Sequence, residues 1–132
     1  MKFLLDTDTC IYALKQNAAV LQRLLAQKPE DIAVSVITEA ELRTGAAKSA
    51  SPAKTFRLVD NFLRPIARLE FTSNDVAIYA QVRAKLERAG TPIGPLDTLI
   101  AAQAVARKLV LVSNNGREFH RVSGLHVDNW RS

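Results

Sequence analysis

Apolar residues fall in two rhythms along this chain. Three short runs, KFLL at 2–5, IAVSV at 32–36 and LVLVS at 109–113, have the length and β-branched or leucine-rich character of buried strands. IARLEF at 66–71 and LHVDNW at 125–130 predict two shorter ones. Elsewhere apolar positions recur at helical spacing. From Thr9 they pass through Ile11 and Leu14, resume at Val20, Leu21, Leu24 and Leu25, and stop at Pro29. Thr38 predicts the start of a helix carrying Glu39, Glu41 and Leu42, with Gly45 near its end. Pro52 opens another through Phe56, Val59 and Phe62. A longer amphipathic helix is predicted over 73–89, with Val76, Tyr79, Ala80, Val82 and Leu86 on its apolar side. AGTPIGP at 89–95 reads as a loop. The helix after it, over 95–108, is apolar nearly all round, which predicts burial. NNGREF predicts a turn into a short helix.

Strands alternating with helices predict an α/β fold, a short and mostly parallel central sheet with helices on both faces. A length of 132 residues suits one domain over 1–132. In such sheets ligands gather beyond the carboxyl ends of the strands. Hydrophobic content of 48% excludes a disordered chain. The single cysteine, Cys10, cannot form an internal disulfide and reads as a small buried hydrophobe in a reducing compartment. Only three apolar residues precede Asp6, too few for a secretory leader. No apolar run approaches the roughly 20 residues of a membrane span. The expectation is a soluble cytoplasmic protein.

A net charge of +5 and a pI near 9.7 favour an anionic partner, above all nucleic acid. The acids sharpen this. FLLDTDTC places Asp6 just past the first strand. Glu41 lies on the helix after the second, Asp97 in the first turn of the buried helix, and Asn114, Asn115 and Glu118 after LVLVS. Separate segments thus deliver oxygen ligands to one edge. Carboxylates that close repel each other, so the arrangement points to a divalent cation, and hard oxygen donors suit Mg²⁺ or Mn²⁺. Two histidines and one cysteine argue against zinc. Plainer readings stand beside this one: Asp6 and Asp8 as helix caps, Glu39 and Glu41 as solvated helix residues, Asp97 as an acid favoured by a helix N-terminus. A strand followed by D-x-D also fits haloacid-dehalogenase-like phosphatases. Against them, Cys10 stands where that motif has Thr or Val, and amides follow LVLVS where an acid pair is needed.

FLLDTDTCIYALK, SVITEAELRTGAAKS and GTPIGPLDTLIAAQAVARKLVLVSNNGREFHRVSGLHVDNW, in that order, resemble PIN-domain ribonucleases, specifically the VapC toxins of bacterial VapBC toxin–antitoxin pairs. GPLDTLIAAQA and VSNNGREFHRVSGL are most similar to the subgroup that cuts initiator tRNA in the anticodon stem-loop. The resemblance implies a Mg²⁺-dependent endoribonuclease, with Mn²⁺ as a possible substitute, that inhibits translation until neutralised. It implies Asp6, Glu41 and Asp97 as catalytic acids, with Asp6 and Asp97 on the metal. Many relatives have Asp where this chain has Asn115, so Glu118 is the expected fourth acid. Many also have Asn where this chain has Asp8. The implied partners are a VapB-type antitoxin, a tRNA substrate, a second copy of the chain in a homodimer, and promoter DNA only through the antitoxin complex. Arg43, Lys48, Arg83, Lys85, Arg88, Arg117 and Arg121 are the expected basic rim. A PIN nuclease of RNA maturation without an antitoxin, and a PIN module that binds without catalysis, are the alternatives.

Overall fold

A computed structural model describes residues 1–131. Its sheet has five strands, β1 (Phe3–Leu5), β2 (Ile32–Ser35), β3 (Ala67–Leu69), β4 (Val110–Val112) and β5 (Val127–Asp128), in the order β3-β2-β1-β4-β5. Every pairing is parallel, with Leu5 level with Val34 on one side and Val112 on the other. β1 is central because both its faces are apolar. Successive side chains of a strand point to opposite faces. Leu5, Val34 and Val112 therefore join one core, Leu4, Ala33 and Leu111 the other.

Helices α1 (Thr7–Leu14), α2 (Ala18–Leu25) and α4 (Pro52–Leu63) cover the first face, closed by Trp130 against Phe3 with ring centroids 5.2 Å apart. Helices α5 (Ser73–Arg88) and α6 (Pro95–Arg107) cover the second, with Leu86, Ile100, Ala101 and Ala104 buried there. Helix α3 (Val36–Ala47) touches both cores, through Leu42 and Ala46 on one side and Ile37 on the other. Helix α7 (Gly116–Phe119) is one short turn that buries Phe119. The α/β expectation and the parallel sheet hold.

The order of strands decides where a ligand can go. The chain steps outward from β1 to β2 to β3, then crosses back through α5 and α6 to lay β4 on the other side of β1. The loops leaving β1 and β4 therefore part in opposite directions and leave a crevice between them. The crossover is pinned by Asp75 at the start of α5, which accepts from Thr72 N at 2.9 Å and Arg107 at 3.0 Å.

Several local expectations are corrected. The helix running from Thr9 to Leu25 is two. Gln16 takes φ 61° and Asn17 accepts from Val20 N at 3.1 Å, so a left-handed residue and a fresh cap divide it without Gly or Pro. Val36 belongs to a helix, because Ser35 Oγ accepts from Ile37 N at 3.0 Å and caps α3 there, ahead of Thr38. Gly45 is near the end of α3, as expected, two residues before Ala47. Val76 faces outward on α5, and Leu96 is 43% exposed at the head of the otherwise buried α6.

Candidate active site

Asp6 is the first residue past β1 and also the N-cap of α1. Its backbone is extended, its N–H donates to Val112 O at 3.0 Å, and its Oδ1 accepts from Thr9 N at 2.8 Å. Cap and site are thus one residue. Capping fixes Oδ1, and the Ser113 hydroxyl, just past β4, also donates to the carboxylate. Only 3% of Asp6 is exposed, and burial raises its pKa against the hydrogen bonds from Ser113 and Thr9.

Glu41 stands on the second turn of α3. Thr7 Oγ1 lies 2.6 Å from Glu41 Oε1 and 3.2 Å from the hydroxyl of buried Thr38. One hydroxyl has one proton, and the shorter, charge-assisted partner takes it. Thr7 thus donates to Glu41 and is left to accept from Thr38. Among the described residues no side chain donates to Glu41 Oε2.

Asp97 stands in the first turn of α6, which Pro95 opens and Gly94 precedes. Its pKa is pushed up to about 6, first by burial, then by the charges of Glu118, Asp6, Glu41 and Asp8. Five carboxylates from four segments therefore share one field. Asp8 is the exposed one.

Glu118 is held on both oxygens: Oε1 accepts from Gly94 N at 2.9 Å and Oε2 from Asn115 Nδ2 at 2.6 Å. Asn115 thus holds Glu118 in place. A Cβ placed on Gly94 would lie 3.6 Å from Asp97 Oδ2 and 3.8 Å from Glu118 Oε1. Glycine keeps that space open between the two acids.

The donor set fits a hard divalent cation, and the gap over Gly94 leaves room beside two carboxylates. Among the described residues no three His, Cys, Asp or Glu side chains form a ready-made cage. That suits an ion of the Mg²⁺ type, which keeps several waters and binds through one or two carboxylates. Thr7, Ser113 and Gly94 escaped the sequence reading. A threonine after an aspartate and a glycine before a proline are too common to stand out; only the crevice gives them partners.

Of the expected basic rim, Lys48 shares a hollow with Glu41 and Arg117 adjoins Glu118 in α7, while three arginines are engaged within the protein. Arg43 pairs with Glu39 at 3.0 Å and Asp60 at 2.8 Å, and Arg83 with Glu87 at 2.7 Å. Arg121 donates to Pro92 O. Lys85 and Arg88 lie in the last turn of α5, which the loop over 89–94 joins to the start of α6.

Comparison with known proteins agrees with this geometry. The family model described as "PIN domain" matches residues 3–125. The chain is 37% identical over 130 residues to the tRNA(fMet)-specific endonuclease VapC of Salmonella typhimurium, covering 98% of each. A crystal structure of DNA-bound VapBC from Salmonella typhimurium superposes with a TM-score of 0.94 at 37% identity, covering 98% of both chains. VapBC2 from Rickettsia felis, bound to a DNA fragment from its promoter, superposes with a TM-score of 0.93 at 34% identity, over 98% of this chain and 99% of the other. Matched along nearly its whole length in both sequence and fold, the chain belongs to the PIN-domain family, in its VapC branch.

Proposed function

We propose that this chain is the toxin of a VapBC-type toxin–antitoxin pair, an endoribonuclease that hydrolyses RNA phosphodiester bonds. Two relatives are tRNA(fMet)-specific endonucleases, and initiator tRNA, cut in the anticodon stem-loop, is the substrate we assign. The observation that carries the reading is the convergence of Asp6, Glu41, Asp97 and Glu118 on the crevice between β1 and β4, felt in the raised pKa of Asp97. A protein of net charge +5 has no use for such a cluster as an anion site. With a divalent cation among the acids it becomes a site for a phosphodiester.

Dependence on a divalent metal goes with the family, and Mg²⁺ is the ion we assign, with Mn²⁺ as substitute. When bound, the cation supplies Lewis-acid polarisation of the phosphate and neutralises the charge that grows on it. Asp6 and Asp97 hold it, with Glu118 beside Asp97. Glu41, steadied at Oε1 by Thr7, offers Oε2 to orient the attacking water and accept its proton. The burial of Asp6 keeps the hydrogen bond to Thr9 dry and the carboxylate in one rotamer.

The partners follow the solved relatives. A VapB-type antitoxin would cover the acids, and the joint complex would bind promoter DNA. A homodimer and a cytoplasmic location complete the proposal; no helix among the described residues is long and apolar enough to cross a membrane. The test is cleavage of purified tRNA, initiator tRNA included, by wild type, by Asp97→Ala, and by wild type in EDTA. A defined cut made only by metal-loaded wild type is expected. Equal cutting by Asp97→Ala would place the activity elsewhere.

A further inference from the structure

A nuclease must hold the RNA on either side of the bond it cuts, and Arg43, Arg83 and Arg121 of the expected rim are engaged within the protein. A different ridge borders the crevice. Tyr12 follows Asp8 by one turn of α1, so both lie on one side of that helix. The Arg131 guanidinium sits over the Tyr12 ring, 4.6 Å from its centroid. Asn114 lies between Ser113, which faces Asp6, and Asn115, which holds Glu118. Asn129 Nδ2 donates to Asn114 Oδ1 at 3.1 Å, Asn114 Nδ2 reaches the Tyr12 hydroxyl at 3.5 Å, and Asn129 Oδ1 accepts from Arg131 N at 2.9 Å. Beside them opens a hollow of about 500 Å³ lined by Asn17, Asn114 and Arg131. Among the described residues Arg131 pairs with no carboxylate.

We propose that Tyr12, Asn114 and Arg131 form a subsite for single-stranded RNA flanking the scissile phosphate. The inference rests on the ribonuclease reading above. Unpaired bases stack on aromatic rings and guanidinium planes, and the ring and guanidinium here are already stacked into one platform. A guanidinium also grips a phosphate through two N–H groups. Amides offer donor and acceptor together, the complement of a base edge or a 2′-hydroxyl. Ala18 and Ala19 complete the lining, and the two amides with the guanidinium outnumber them, which favours RNA over an apolar antitoxin segment. The hydrogen bonds from Asn129 to Asn114 and from Arg131 to Asn129 hold the ridge in place before substrate arrives, which lowers the cost of ordering it on binding.

The test uses the full chain with Arg131→Ala and Asn114→Ala, and with Lys28→Ala as an equal loss of charge at an exposed position before the amino end of β2, across the sheet from the crevice. Binding of a fluorescein-labelled anticodon stem-loop RNA is measured in EDTA, and cleavage of initiator tRNA in Mg²⁺. Arg131→Ala should weaken binding about tenfold and raise KM by a similar factor with kcat retained. It should also flatten the slope of log affinity against log salt by about 0.7, the mark of one lost phosphate contact on a single strand. Asn114→Ala should show the same split between KM and kcat, with the salt slope unchanged. Lys28→Ala should behave as wild type. The proposal is overturned if Arg131→Ala binds and cuts as Lys28→Ala does, or if kcat falls while KM stays. Wild type that cuts no RNA would instead overturn the ribonuclease reading.

Discussion

Asp97→Asn should abolish cleavage and yet stabilise the metal-free protein. The carboxyl of Asp97 titrates at about 6 in the fold against 3.8 for an ordinary aspartate. Between those values the folded chain holds a proton that the unfolded chain has lost. Folding stability therefore falls as pH rises through that window, and above about pH 6 the full penalty is present. A displacement of this size is worth at most ~3 kcal/mol. Asp97 is only partly buried, and screening by solvent reduces the figure to about 1–1.5 kcal/mol. For a chain of this length that corresponds to about 3–6 °C in Tm. Thermal unfolding in EDTA at pH 7.5 should show the variant melting higher by that amount, and the gap should close by pH 4. The difference between the two pH values cancels constant effects, such as the attraction of a helix N-terminus for an acid. Saturating Mg²⁺ should raise the wild type and leave the variant where it was, because only the protein that binds the ion is stabilised by it. A variant no more stable than wild type at pH 7.5 in EDTA, or an advantage that ignores pH, would refute the convergence of acids on Asp97.

Other outcomes test single contacts. Thr7→Ser keeps the hydroxyl that reaches Glu41 and should retain kcat, whereas Thr7→Val should lower kcat about tenfold with KM little changed; equal rates for the two would dismiss Thr7 as a positioning residue. Gly94→Ala should fold normally, since its Cβ meets Asp97 and Glu118 only at ordinary contact distance, but it should demand more Mg²⁺ for half-maximal cleavage, and an unshifted metal titration would mean the ion sits elsewhere. Asp8→Asn, at an exposed position, should leave cleavage within about threefold of wild type; complete loss would make Asp8 a ligand. Asn115→Ala should loosen Glu118 and cost activity without changing Tm by more than about 2 °C, read by parallel melting and cleavage assays.

What the sequence discloses and what it conceals divide along a physical line. Strand runs such as KFLL and LVLVS are legible because burial on both faces demands unbroken apolar side chains, and the parallel order follows from helices between them. The acids are legible because each follows a strand or opens a helix at the edge where strands end. The break at Gln16 is not, since a left-handed residue without glycine leaves no mark in composition. Nor is the cap at Ser35, where one hydroxyl turns a β-branched residue, Val36, into the start of a helix. The hydrogen bonds from Thr7 to Glu41 and from Asn115 to Glu118 depend on how two loops meet, and periodicity carries no such information.

FLLDTDTC poses a choice between helix cap and metal ligand, and the crevice shows the choice to be false. Capping uses one oxygen of Asp6 and aligns the other, so the bond to Thr9 that starts α1 is the same bond that aims the carboxylate. Starting the helix at that point also places Thr7 within reach of Glu41 and Asp8 beside the field of Asp97. The cost falls on Asp97, whose ionisation opposes the fold until a cation arrives. An apo site under mutual repulsion binds its ion more tightly than the same acids held apart, because binding relieves the repulsion as well as forming the contacts. The raised pKa of Asp97 and the demand for a divalent metal are, on this argument, one property seen with the ion absent and with it present.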